Sequence, residues 1–93
     1  AEVGSRPWQN PPQFNTVEEA MGWYLDRFDN NEIVQELLSV MEMGVPLSTI
    51  ANSMQLGAVL QGIHSIDVGI LMIPVLMEIM KHLWKILKIL MEN

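Results

Sequence analysis

The stretch GIHSIDVGILMIP, residues 62–74, decides how the second half of this 93-residue chain folds. It opens on a glycine, the residue that most often ends a helix in the left-handed conformation. Ser65 is a good helix N-cap, and Asp67 falls in the first turn of the next helix, where a negative charge suits the helix dipole. Pro74 lies inside that helix, so we expect a kink or break between Ile70 and Pro74. The stretch is therefore predicted to join two helices.

Apolar residues recur at helical spacing on both sides of this junction, and no strand-like alternation is present. Gly44 is expected to end the second helix, and Pro46 fits the first turn of the third. The predicted segments are a helix that follows the capping box Thr16–Glu19, one over 33–41, one from Pro46 to Leu60, and a long apolar one from Ile66 to Glu92. The sequence predicts an all-α fold of four or five helices.

The first fifteen residues are predicted to form an extended arm ahead of a single helical domain, residues 16–93. Pro7, Pro11 and Pro12 fix the backbone and remove amide donors. Trp8 and Phe14 lie in this arm and could anchor it on another protein. They could equally fold back onto their own domain, and the sequence leaves both alternatives open.

The last helix is apolar around most of its circumference. From residue 76 onward its polar side chains occupy an arc of roughly 120°, which leaves an apolar arc of roughly 240°. The apolar stripe of a surface helix usually spans little more than 100°. Such a helix must be surrounded, so we expect this protein to assemble with itself or with other proteins. The predicted partner contacts are Trp8, Phe14, Leu76, Ile79, Met80, Leu83, Trp84, Ile86, Leu87 and Leu90.

Composition excludes several function classes. The chain has no cysteine, a net charge of −6 and only five basic residues, which argues against thiol chemistry and against nonspecific nucleic-acid binding. The apolar run 68–77 is too short to span a membrane. A membrane surface is the alternative location for the last helix, although its polar face carries acids beside its three lysines.

His64, Ser65 and Asp67 are the residue types of a catalytic triad, but they lie too close in sequence to converge as one. His64 and His82 have no metal-ligand spacing. We therefore predict a protein without catalytic, cofactor or metal residues, in which His64 packs or hydrogen-bonds at its turn.

Two segments carry a family resemblance: RPWQNPP, residues 6–12, and MGVPLSTIANSMQLGAVLQGIHSIDVGILMIPVLMEI, residues 43–79. The chain resembles small virion structural proteins of tailed bacteriophages, those of large marine contractile-tailed phages. The shared positions are Gly44, Pro46, Gly57, Gly62, His64, Ser65, Asp67, Val68, Gly69, Leu71 and Pro74.

The resemblance covers most of residues 6–79, and the segment from Lys81 onward lies outside it. It implies a non-enzymatic component of the virion. We expect its partners to be other virion proteins, for which the major capsid protein is one candidate, or further copies of the chain itself. The alternative is an assembly factor or adaptor that is absent from the finished particle.

Overall fold

The structure, a computed structural model, describes residues 6–92. Within that range it contains helices and no strand, so the all-α prediction is confirmed. Residues 1–5 of the predicted arm and Asn93 lie outside the described residues. The helices are α1 (Val17–Phe28), α2 (Asn31–Glu42), α3 (Leu47–Leu60) and α4 (Ile66–Glu92), and a short 3₁₀ helix covers Pro7–Gln9.

Short-range hydrogen bonds define where the helices begin. The Ser65 hydroxyl accepts from the Val68 amide at 3.2 Å and caps α4, as predicted. The Thr16 hydroxyl accepts from the Glu19 amide at 3.2 Å. The Glu19 carboxylate accepts a hydrogen bond from that hydroxyl and not from the Thr16 amide, so only half of the predicted capping box is formed.

Two glycines end helices as expected. Gly44 has φ +87° after α2, and Gly62 has φ +77° after α3. A side chain at Gly62 would also meet the carbonyl of Pro7, so the turn needs glycine for space as well as for conformation.

The core forms between the antiparallel helices α3 and α4, with α1 packed on α4 and α2 packed on α1. Met72, Leu76 and Met80 are fully buried on one face of α4. They pack in one cluster with Ala20, Tyr24, Ile50, Ala51 and Ala58. This small core holds α3 and α4 together as a hairpin, on which the other elements depend.

α4 runs through Pro74 without interruption, so the predicted break there is wrong. Pro74 and Ile70 are both exposed, so the carbonyl that loses its amide partner lies towards water, where the loss costs least. A bend of the helix axis at Pro74 stays a prediction.

The described part of the arm folds back on its own domain. The amides of Gln13 and Phe14 donate to the carbonyls of Gly62 and Ile63 at 3.0 and 2.8 Å. Phe14 packs against the core, whereas Trp8 remains 45% exposed. Of the two alternatives for the arm, the structure therefore shows the intramolecular one for residues 6–15.

α4 is much longer than its partner α3. Its 27 residues span about 40 Å, against about 21 Å for the 14 residues of α3. Residues 81–92 therefore continue beyond the start of α3, beside the end of α2 and the turn after it. We call these residues the overhang.

Candidate functional site

The predicted partner contacts fall into three groups in the structure. Leu76 and Met80 are fully buried in the chain's own core. They have no surface to offer a partner, so their assignment as partner contacts is wrong. The sequence places them on a broad apolar arc but does not show which part of that arc α1 and α3 cover.

The second group is half-buried and the third is exposed. The half-buried residues are Phe14, Ile79, Leu83, Trp84 and Leu87. Trp8, Ile86 and Leu90 are exposed, and so are Ile89 and Met91, which the prediction did not include. The sequence indicates Ile89 and Met91 only by their place on the apolar arc close to the end of α4. The exposed members on α4 all lie in the overhang.

The core face of α4 continues into the overhang without a change of chemistry. The side chains of that face repeat at alternating intervals of four and three residues, the heptad spacing of helices that pack along one another. They are Leu76, Met80, Leu83, Leu87 and Leu90. The first two are fully buried, the next two half-buried and Leu90 is 69% exposed. One face of one helix thus passes from core to surface.

An open groove lies between the base of the overhang and the turn from α2 to α3. Its volume is about 760 Å³. Met41, Val45, Leu47 and Trp84 give it apolar walls, and polar side chains of α4 surround them. These polar residues are Glu78, Lys81, His82 and Lys85. The groove and the overhang form one continuous surface with apolar and basic parts.

A second apolar surface lies at the other end of α4. Trp8 of the arm, Leu60 of α3 and Ile66 of α4 line one shallow pocket there. Leu56 and Ile70, one turn away on the same helices, are also exposed. We call these five residues the arm patch. Twenty residues of α4 separate Ile66 from Ile86, which places the arm patch about 30 Å from the overhang.

Beneath the arm patch, His64 is buried and hydrogen-bonded on both ring nitrogens. Nε2 lies 2.6 Å from the Tyr24 hydroxyl, and Nδ1 lies 2.8 Å from the carbonyl oxygen of Ser65. A carbonyl can only accept, so Nδ1 carries the proton and donates to it. In the neutral imidazole, Nε2 then accepts from the Tyr24 hydroxyl. Burial raises the pKa of Tyr24 to about 12, against the opposing effect of the Arg27 charge.

Gln55 lies beside this pair. Its Nε2 donates to Asn52 Oδ1 at 3.0 Å, but its Oε1 is buried without a hydrogen-bond partner among the described residues. Gly69 of α4 packs directly against Gln55 and His64, and a side chain there would overlap the Gln55 amide and crowd the His64 ring. Only a glycine lets α4 pass this close to the two polar groups.

These bonds do not form a triad. The Ser65 hydroxyl accepts from the Val68 amide, His64 bonds to Tyr24 and to the Ser65 backbone, and Asp67 is exposed. The geometry links no nucleophile to a base. His64 is instead a structural residue whose partner, Tyr24, lies forty positions away.

Comparisons with known proteins add no relative. No protein-family model, no curated protein and no solved structure matches this chain. Across residues 6–92, no helix combines the length and the apolar character that crossing a membrane requires. The same residues contain no group of three or more His, Asp or Glu side chains placed to hold a metal ion.

Proposed function

We propose that this protein is a non-enzymatic structural component of a tailed-phage particle, associated with the capsid. One observation carries the proposal: two exposed apolar surfaces lie about 30 Å apart along a single helix. Exposed apolar surface on a small protein usually marks a binding site for another protein. A chain with such a surface at each end of its longest helix is built to connect neighbours.

The arm patch and the overhang take different roles in this proposal. The arm patch combines the exposed Trp8 with the Pro-rich segment RPWQNPP, which belongs to the virion-protein resemblance. It is the surface for another virion protein, such as the major capsid protein. The overhang lies outside the resemblance and supplies a second contact of its own.

The proposal is tested by mass spectrometry of gradient-purified particles of the virus that encodes the chain. We expect the protein in finished particles at a fixed ratio to the major capsid protein. A Trp8→Ala variant should enter the particles less, because its truncation removes an exposed aromatic anchor. Gln35→Ala, a change at an exposed site of α2 outside both the arm patch and the overhang, is the control. Finished particles that lack the protein would contradict the proposal.

A second candidate function is that of an assembly factor or adaptor that leaves before the particle is complete. The open groove beside Trp84 favours it, because apolar walls flanked by Lys81 and Lys85 suit an acidic amphipathic helix. If this alternative holds, we expect the protein in infected-cell lysate and in immature particles, and we expect mature particles to lack it.

A further inference from the structure

We infer that α2 is a lid, which detaches from the fold as a unit while α1, α3 and α4 stay packed. The inference goes beyond the proposed function and does not depend on it. It is supported by the absence of buried residues and of polar contacts that would hold α2 in place, and by the open space beside this helix.

α2 adds no residue to the buried core. Within residues 6–92, the fully buried side chains come from α1, α3, α4 and the turn before α4. The apolar side chains of α2 are only half-buried, namely Ile33, Val34, Leu37, Leu38, Val40 and Met41. The core is therefore complete without α2, and removing this helix exposes less apolar surface than removing a helix that carries the core.

Polar contacts do not fasten α2 to its neighbours. In the described part of the chain, no hydrogen bond and no ion pair joins α2 to α1, α3 or α4. The Ser39 hydroxyl, for example, donates to the carbonyl of Gln35 in the same helix. By contrast, the bond between Tyr24 and His64 fastens α1 to the turn before α4.

Charge does not hold α2 in place either. Residues 16–44, which include α1 and α2, carry seven acids and a single arginine, Arg27. The guanidinium of Arg27 lies over the Trp23 ring at 4.7 Å and forms no ion pair with Glu36, although both line one cavity. Two acidic helices thus lie side by side, and repulsion between like charges weakens their contact.

Open space lies beside α2. A cavity of about 290 Å³ separates Leu37 and Val40 of α2 from Trp23 of α1 and from Met54 and Gly57 of α3. A side chain added at Gly57 would meet no atom within 4 Å, so α2 does not press on α3 there. At the end of α2, Met41 forms a wall of the open groove beside Trp84.

The ends of α2 suit such a movement. Gly44 follows the helix with φ +87°, and Asp29 and Asn30 form the short turn before it. Terminal residues of this kind absorb the backbone changes of a hinge. Because a helix of 12 residues is only marginally stable on its own in water, a detached α2 loses protection of its amides.

Detachment changes the surface that the protein offers. It uncovers Leu37 and Val40 on α2 together with Trp23 and Met54 on α1 and α3. A neighbour that binds these apolar side chains would favour the open form over the closed one. The closed α2 keeps part of this surface from water until such a neighbour is present.

Native-state amide hydrogen exchange of the full chain, followed by NMR, tests the inference. We expect the amides from Gln35 to Glu42 to be protected at least about 10-fold less than those of the buried residues of α3 and α4. Equal protection in α2 and in these two helices would overturn the inference.

Two variants show whether α2 opens alone or only when the whole protein unfolds. Leu76→Val removes a buried methylene from a core that stays packed while α2 is open. It should speed exchange in α3 and α4 about 4-fold and leave exchange in α2 unchanged. If it speeds exchange in α2 by the same factor, α2 opens only by global unfolding and the inference is wrong.

Leu37→Ala is the matched variant on α2 itself. The contacts of Leu37 are lost both when α2 detaches and when the protein unfolds, so exchange should accelerate by the same factor in α2, α3 and α4. A Leu37→Ala variant without any effect on exchange would show that α2 is not docked in solution, which would also overturn the inference. Circular dichroism should show both variants folded, and these results are separate from the virion content that tests the proposed function.

Discussion

The Tyr24 hydroxyl donates a hydrogen bond to Nε2 of His64 across 2.6 Å in the interior of the protein. The bond joins α1 to the turn before α4, and both side chains are almost completely buried. This direction of the bond corresponds to the neutral imidazole, whose Nδ1–H donates to the Ser65 carbonyl.

The titration of Tyr24 is the first prediction. As Tyr24 is the only tyrosine, phenolate absorbance reports it alone, and we expect a midpoint near pH 12 in the folded protein. In the unfolded chain the pKa of the phenol is near 10. The stability that the protonated Tyr24 side chain gives the folded state is therefore fully present below pH 10 and is lost as the pH rises through about 12. The free energy of unfolding, measured in urea, should therefore fall more steeply above pH 10 in the native chain than in Tyr24→Phe. Equal slopes would contradict the assignment.

Loss of His64 should strongly destabilise the fold. His64→Ala opens a cavity and leaves the Tyr24 hydroxyl without its acceptor, which together should cost about 2–4 kcal/mol of unfolding free energy. His82→Ala, at the exposed histidine of α4, should change stability by less than about 0.5 kcal/mol. A double-mutant cycle with Tyr24→Phe should show a coupling of about 0.5–3 kcal/mol, and additive losses would mean that the bond contributes nothing.

Gln55 should tolerate an apolar replacement. Its buried Oε1 lacks a partner among the described residues, and a buried acceptor left unsatisfied costs about 1–3 kcal/mol. Gln55→Met keeps the volume and removes that acceptor, so chemical denaturation should show unchanged or higher stability despite the lost bond to Asn52. Asn52→Ala is the companion variant that removes this bond alone. A loss above about 1 kcal/mol in Gln55→Met would show that Oε1 is satisfied in solution.

Two helical glycines should respond in opposite directions to alanine. Gly57→Ala meets no atom within 4 Å and should stabilise the fold by about 0.5–1 kcal/mol through helix propensity. Gly69→Ala would overlap the Gln55 amide and crowd the His64 ring, so it should destabilise the fold by about 1–3 kcal/mol. Thermal unfolding of the two variants shows whether each one raises or lowers the melting temperature. Similar shifts of the melting temperature in both would contradict the close approach of α4 to the polar groups.

Local rules predict the helix boundaries well and the contacts between helices poorly. Thr16, Ser65, Gly44 and Gly62 act over a few residues, so their roles could be inferred from neighbouring sequence. The partnership of Tyr24 and His64 could not, because nothing local specifies which side chain meets another forty positions away.

Other differences follow from the same limit. The burial of Leu76 and Met80 depends on where α3 lies along α4, so the apolar arc alone could not separate core from surface. Helix continuity at Pro74 depends on the face of α4 that receives the proline. The overhang was partly predictable, since its excess of apolar residues is visible in the sequence, but its extent follows from the unequal lengths of α3 and α4.

The attachment of the arm has a consequence for folding during synthesis. Gln13 and Phe14 leave the ribosome about fifty residues before Gly62 and Ile63, the residues whose carbonyls receive their amides. The arm must therefore wait, without its partner, until the turn between α3 and α4 has emerged and Gly62 has adopted its left-handed conformation. The arm is thus made well before the turn that receives it, and its exposed Trp8 is within reach of other proteins throughout that interval.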